Sequence, residues 1–370
     1  MRNLDKFRGC LIGGAAGDAL GYEVEFMLAD EIFDRFGDNG ITEYSLHNGV
    51  AQISDDTQMT LFTATGLLLG TTRGMIRGIM GEYPGYVAHS YKEWLRTQTG
   101  SYPEKDEYTF SWLANVHELY CRRAPGMTCL SAIEEGCNGR IDAPINGSKG
   151  CGGIMRVAPV ALYFCDKRIS ITDVDRIGAE VAALTHGHEL GYLPAAMLVH
   201  IIHRVACDDS ITLADAVTDA MISIRRQYPE SKEMMKLYNL IGKARSLSNE
   251  DFDDLDAIRM LGEGWVAEET LAIAVYCALK YSNDFDKAII AAVNHDGDSD
   301  STGAVTGNIL GAYLGLSGIP QKYTDKLECK DLILEIAEDL HHDCQINEYT
   351  SHTDPIWIAK YFTMQHMRSN

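Results

Sequence analysis

The chain has 370 residues, 46% of them hydrophobic and 23% charged, an ordinary globular composition with enough apolar mass for a large core. Its formal charge is −21, from 32 basic and 53 acidic residues. Such an acidic surface repels phosphate backbones and argues against nucleic acid as a general partner, although a pocket holding cations would still take a phosphate.

Taken in chain order, the pattern is helical. Residues 5–21 carry Gly9, Gly13, Gly17 and Gly21, and a spacing of four puts them on one helix face. Arg2, Lys6 and Arg8 with the apolar stretch 10–16 resemble a secretion signal superficially, but Asp18 ends the run early and that reading is rejected. A helix is expected over 57–69. Glycine-rich breaks are expected at 70–85 and 146–153. Two charged, low-apolar stretches follow: 101–108, a surface loop before Phe110-Ser111-Trp112, and 247–256, a connector. Further helices are expected over 128–136, 154–164, 173–184, 193–207, 211–227, 231–246 and 266–281. The last reads as buried from Trp265 to Leu279, with Glu268 and Glu269 as dipole partners near its start. Residues 303–315 repeat the four-residue stripe with Gly303, Gly307, Gly311 and Gly315. Each interior glycine costs up to about 1 kcal/mol against alanine, so both helices are expected to bring their backbones close to something.

Alternating strand patterns are scarce, and neither a long Pro/Ser linker nor a solenoid period is seen. The expectation is an all-α fold, one compact multi-helix domain over 1–370. No apolar stretch reads as long enough to cross a bilayer, so no membrane partner is expected. The ten cysteines include no Cys-x-x-Cys pair and read as reduced thiols, which predicts a cytoplasmic protein.

Two acidic clusters carry the chemistry. Ser54-Asp55-Asp56-Thr57 precedes one helical run, and Asp296-Gly297-Asp298-Ser299-Asp300-Ser301 precedes another. Asp55 with Gln58 would serve as an N-cap and capping-box partner, but a cap needs one such residue and the cluster supplies three in a row. Adjacent carboxylates repel, so a counter-charge is required. Hard divalent cations want several oxygen ligands, and two such clusters brought together would hold two ions for hydrolysis. The second cluster is no EF-hand, because no glutamate closes the loop. The segment Asn146-Gly147-Ser148-Lys149-Gly150-Cys151-Gly152-Gly153 suits either a flexible connection or a diphosphate cradle ahead of a helix start near Ile154. Thr185-His186-Gly187-His188, with His200, His203 and Cys207 near in sequence, leaves a zinc site as a minor alternative.

Several of these motifs together resemble the ADP-ribosylglycohydrolases. Gly17-Asp18-Ala19-Leu20-Gly21 followed by Val24-Glu25-Phe26 resembles the family's opening motif. Ser54-Asp55-Asp56-Thr57 and Gly297-Asp298-Ser299-Asp300-Ser301 resemble its two metal motifs, and Gly150-Cys151-Gly152-Gly153-Ile154-Met155-Arg156 its glycine-rich nucleotide loop. The resemblance runs over about residues 6–318 and leaves a helical C-terminal remainder. It implies an all-α fold with two Mg²⁺ or Mn²⁺ ions held by Ser54, Asp55, Asp56, Asp298, Asp300 and Ser301. It implies catalytic roles for Glu25, Asp55 and Asp300, with Glu23 as the competing carboxylate to Glu25. It places Ser148, Lys149, Gly150, Cys151, Gly152, Gly153, Met155 and His186 at the substrate, with Cys151 where many relatives have asparagine. The implied activity is removal of ADP-ribose from an ADP-ribosylated protein at arginine, with ADP-ribose as product. Serine-linked ADP-ribose, a small ADP-ribosyl metabolite, a two-metal phosphoesterase and a non-catalytic ADP-ribose binder or structural protein stand as rival readings.

Overall fold

The computed structural model describes residues 2–103, 108–363 and 365–366. Its organising contact is between two glycine-striped helices, α1 (Leu4–Gly21) and α14 (Ser299–Leu314). They run antiparallel and touch backbone to backbone. A Cβ on Gly13 would collide with the carbonyl oxygen of Gly307, one on Gly17 with that of Gly303, and one on Gly9 with that of Gly311. The reverse clashes hold from the α14 side. The amide of Asn308 seals the pair by donating to the Cys10 carbonyl at 2.8 Å. Both helices are buried almost all round, as hydrophobic sequences without a polar stripe must be.

The other helices wrap this pair in chain order: α2 (Ala29–Phe36), α3 (Asp55–Arg77), α4 (Tyr83–Thr99), α5 (Met127–Glu134), α6 (Ala158–Tyr163), α7 (Ile171–Ala183), α8 (Glu189–Cys207), α9 (Leu213–Gln227), α10 (Met234–Leu247), α11 (Asp254–Arg259), α12 (Ala267–Lys280), α13 (Phe285–Val293), α15 (Lys330–His342) and α16 (Pro355–Tyr361). Among the described residues, strand pairing is limited to two residues, Tyr108–Thr109, antiparallel to Gln365–His366. A continuous buried core links side chains from Phe7 to Tyr361. The architecture is all-α, as the sequence predicts.

Several boundaries differ from expectation, each for a local reason. The break expected over 70–85 shrinks to residues 78–82, because α3 runs on through Gly70 and Gly74. Gly66 and Gly70 are where α4 presses in, against Val87 and the Tyr86 ring, and Gly78 ends the helix at φ +68°. The helix start expected near Ile154 is a 3₁₀ turn, Cys151–Gly153, and α6 begins only at Ala158. Pro159 stops a helix from running through from 154, since its ring would clash with the carbonyl four residues back. Trp265 lies outside α12, and the connector 247–256 contains the start of α11. Of the loop expected at 101–108, residues 104–107 lie outside the described residues.

Two broader expectations are corrected. Cys165 and Cys207 form a disulfide, so the cysteines are not all free thiols. Helix α8, with 19 residues and a mean hydropathy of 1.4, is long and apolar enough to cross a membrane on composition alone, contrary to the sequence reading. Its most apolar window is 83% buried among other helices, which is the setting of a core helix.

The glycine contact generates a test. Gly307→Ala should lower the unfolding free energy by more than about 2 kcal/mol in guanidinium titrations, because the added methyl meets backbone on the facing helix. Gly85→Ala, in a helix with open space at its Cβ, should instead change it by less than about 1 kcal/mol, in the stabilising direction.

Candidate active site

The packing of α1 on α14 brings the two acidic clusters face to face. Ser54 is the N-cap of α3 and its hydroxyl accepts from Asp56 N at 3.3 Å. Asp298 is the N-cap of α14 and accepts from Ser301 N at 3.3 Å. The expected Asp55–Gln58 capping box is absent. Gln58 turns inward, where its carbonyl accepts from Trp94 Nε1 at 3.0 Å and Gln98 Nε2 at 2.9 Å. Asp18, near the C-terminus of α1, ties the first cluster down by accepting from Ser54 N at 2.9 Å and from the Thr57 backbone N at 3.1 Å. Its carboxylate occupies the positive end of α3, where backbone N–H groups are unpaired. The Ser54 hydroxyl in turn hydrogen-bonds Asp300, a direct link between the clusters.

These side chains border a cavity of about 260 Å³. Asp55, Asp56, Asp298, Asp300 and Ser301 line it, as does Glu25 from the turn after α1. Ser54 is fully buried beneath them. Oxygens of Glu25, Asp298 and Asp300 lie within 4.8 Å of one another. No lysine or arginine appears among the lining residues. Burial, the largest cause, and mutual repulsion centred on Asp300 push the carboxyls of Glu25, Asp55 and Asp56 upward. Glu25 Oε2 and Asp56 Oδ2 are buried with no hydrogen-bond partner. Unpaired carboxylate oxygens in such number are costly unless cations hold them together, and an all-oxygen set suits hard divalent ions.

The geometry separates the two candidate glutamates. Glu23 faces away, paired with Arg35 at 2.5 Å and with His47 at 3.0 Å. Asp296 is likewise elsewhere, accepting from Ala29 N and Arg259 Nε at 2.8 Å each.

The glycine segment forms another wall of the cavity, through Gly150, Cys151 and Gly152, with Met155 and His186 beside them. It is held like a short strand: Cys151 N donates to Trp265 O at 3.2 Å and Ala267 N to Lys149 O at 2.9 Å. Ser148, Lys149 and Gly153 stand behind this wall. Ser148 meets Thr128 at 3.2 Å, Lys149 is ion-paired with the buried Glu268, and Gly153 packs on Gly191. Burial and then Arg156 push His186 down to about 3, so its ring is neutral at ordinary pH. The zinc alternative does not assemble around His186 and His188. His186 faces the cavity, His188 caps α8, and His200 bonds Asp175 at 2.9 Å. His203 and Cys207 approach each other at 3.5 Å and gather with Cys165 within 4.8 Å, but both sulfurs of that group are joined in the Cys165–Cys207 disulfide.

The sequence reading missed Ala124, Gly126, Met127, Thr128, Cys129 and Trp265 as lining residues. They come from irregular segments and the edges of α5, where no periodic signal exists. Phe26 also lines the cavity and was noted only as part of a motif.

A family model described as ADP-ribosylglycohydrolase matches residues 1–349. The chain belongs to this family. The human ADP-ribosylhydrolase ARH3 is 25% identical, the alignment covering 92% of this chain and 94% of that relative. The ADP-ribosylarginine hydrolase Tri1 of Pseudomonas putida is 26% identical, over 91% of this chain and 78% of the relative. The ADP-ribosyl-[dinitrogen reductase] glycohydrolase of Rhodospirillum rubrum is 24% identical, over 88% and 91%. Among solved structures, an ADP-ribosylglycohydrolase-related protein complex shares the fold with a TM-score of 0.59 at 22% identity, covering 92% of this chain and 98% of that one. The protein is therefore a glycosidic-bond hydrolase of a metal-dependent family that acts on ADP-ribosylated substrates.

Two outcomes test the site. In metal-free protein, Asp300→Asn should raise the melting temperature, because it removes the charge against which Glu25, Asp55 and Asp56 are strained. The same variant should lose the thermal shift that Mg²⁺ or Mn²⁺ gives the parent protein, as read by calorimetry with and without EDTA. Cys151→Ala should keep turnover within about tenfold of the parent, with the change mainly in KM. The Cys151 thiol is pushed up, first by burial and then by Asp298 and Asp56, so a reactive thiolate is disfavoured. A trapped sugar–thiol adduct in mass spectra would contradict this.

Proposed function

We propose that this enzyme removes ADP-ribose from modified arginine side chains of proteins, hydrolysing the N-glycosidic bond and releasing intact ADP-ribose. The observation that carries this reading is a cavity bordered by five carboxylates and by no lysine or arginine. An ADP-ribosylated guanidine is a cation, and such a cavity attracts it. The relative named as an ADP-ribosylarginine hydrolase adds support.

Ser54, Asp55, Asp56, Asp298, Asp300 and Ser301 would hold two divalent cations, Mg²⁺ or Mn²⁺. When bound, these supply Lewis acidity and an activated water. Glu25, through its unpartnered Oε2, orients the attacking water toward the anomeric carbon, takes its proton and passes it to the departing guanidine. Asp55 and Asp300 face the positive charge that grows on the ribose ring as the bond breaks. Gly150, Cys151 and Gly152 leave room for the diphosphate, Met155 and His186 complete that wall, and Ser148, Lys149 and Gly153 hold the loop from behind.

Incubation with arginine- and serine-ADP-ribosylated peptides, in Mg²⁺ and in Mn²⁺, with mass spectrometry of the released nucleotide, tests this. Intact ADP-ribose from the arginine peptide is expected. Release of AMP would indicate a phosphoesterase, and cleavage of the serine peptide alone would reassign the linkage. Glu25→Gln should lower kcat by about 100-fold or more while free ADP-ribose still binds. Glu23→Gln should stay active, since its carboxylate is engaged with Arg35 and His47.

A further inference from the structure

At the rim of the carboxylate cavity stand two stacked aromatic rings. Phe26 and Trp265 have ring centroids 5.9 Å apart at an interplanar angle of 21°. Both line the cavity, yet Phe26 is 73% exposed and Trp265 38% exposed. A large apolar side chain left in water at a site mouth loses the burial that usually stabilises it, so its surface is available for a ligand.

The two rings are differently anchored. Phe26 directly follows Glu25 in the turn after α1, where Met27 N donates to Val24 O at 2.9 Å. Trp265 is held from two sides: its carbonyl accepts from Cys151 N at 3.2 Å on the glycine wall, and the two residues before it are tied toward the second acidic cluster. Asp298 N donates to Glu263 O at 2.9 Å, and Thr270 Oγ1 to Gly264 O at 2.7 Å. Gly264 itself sits at φ +84°, against Thr302 and Asp298. Phe26 therefore belongs to the carboxylate end of the cavity, and Trp265 stands where that end meets the glycine wall.

We infer that the Phe26–Trp265 pair is the acceptor-recognition element of this enzyme, receiving the planar guanidinium of the modified arginine on its ring faces while the carboxylates below hold the sugar. This rests on the arginine reading proposed above. A planar cation over an aromatic face is attracted by the ring quadrupole, most strongly for tryptophan, and guanidinium also stacks flat. Adenine would stack on the same rings, but in ADP-ribose it lies beyond the diphosphate from the reacting carbon. Phe26 directly follows Glu25 and is stacked on Trp265, which sets the pair's outer edge next to the reacting carbon.

The test uses the metal-loaded enzyme with Phe26→Ala, Trp265→Ala and the ring-retaining Trp265→Phe, on arginine- and serine-ADP-ribosylated peptides, with the Kd of free ADP-ribose measured alongside. A cation–π contact predicts that Trp265→Ala loses about 3- to 30-fold in kcat/KM on the arginine peptide. The loss should fall mainly in KM, with Trp265→Phe recovering most of it and Phe26→Ala showing a smaller loss of the same kind. The Kd of free ADP-ribose should move less than about twofold. If Trp265→Ala weakens ADP-ribose binding as much as it weakens use of the arginine peptide, the rings hold the nucleotide and the inference falls. Equal losses on arginine and serine peptides would also overturn it. If the parent enzyme cleaves only the serine peptide, the arginine reading itself has failed and this inference fails with it. A parent that cleaves the arginine peptide alongside unaffected variants leaves that reading standing and removes only the aromatic assignment.

Discussion

The contact between α1 and α14 is the constraint on which the rest depends. At Gly9, Gly13, Gly17 and their partners Gly311, Gly307 and Gly303 the two backbones meet with no side chain between them. Such closeness carries Asp18 and Glu25, at and beyond the C-terminal end of α1, up to Asp298 and Asp300 at the N-terminal end of α14. Asp18 then reaches across to the start of α3 and sets Ser54, Asp55 and Asp56 opposite. A helix pair spaced by leucines would stand several ångströms further apart, at the usual interaxial distance of about 8–10 Å. The carboxylates would then be too far apart to share cations.

The active site thus stores electrostatic repulsion in a scaffold stiff enough to bear it. Buried like charges favour local opening, and the structure counters this with hydrogen bonds from backbone N–H groups at two helix starts. Ser54 N and Thr57 N hold Asp18, while Ser301 N is held by Asp298 and by Asp300 at 2.7 Å. Each carboxylate that caps a helix surrenders part of its charge to the helix end. Cations bound there would relieve what repulsion is left, which would link stability to metal occupancy.

Much of this was legible in the sequence. The glycine stripes predicted close backbone approach because a four-residue period has one helical meaning. The acidic clusters predicted a cation site because they exceed what capping requires. The all-α class followed from the scarcity of alternating patterns. What could not be read were features created by tertiary contact. Asp18 as a tether is invisible without knowing that α1 ends beside α3. Trp265 read as the start of a buried helix because its neighbours are apolar, whereas the chain turns at Gly264 and leaves the ring at the rim. Gly70 and Gly74 suggested a break, but in place α3 runs through both, with the Tyr86 ring of α4 packed on Gly70 and Met80 on Gly74. The Cys165–Cys207 pairing lacked any spacing signal at a separation of 42 residues.

The evenly spaced glycines have a further consequence, for how the chain reaches this arrangement. A stripe with a period of four is self-similar: sliding α1 along α14 by four residues, about 6 Å, in one direction sets Gly9, Gly13, Gly17 and Gly21 opposite Gly315, Gly311, Gly307 and Gly303. The glycine rows alone therefore discriminate weakly between registers, and it is the Asn308 side chain, seated against Gly14, that fits only the native one. What distinguishes the native one is polar. Asn308 reaches the Cys10 carbonyl, and Asp18 meets the amides of Ser54 and Thr57. These few hydrogen bonds act as a vernier on an otherwise repeating scale, and a chain that lost them would populate misregistered, compact species during folding.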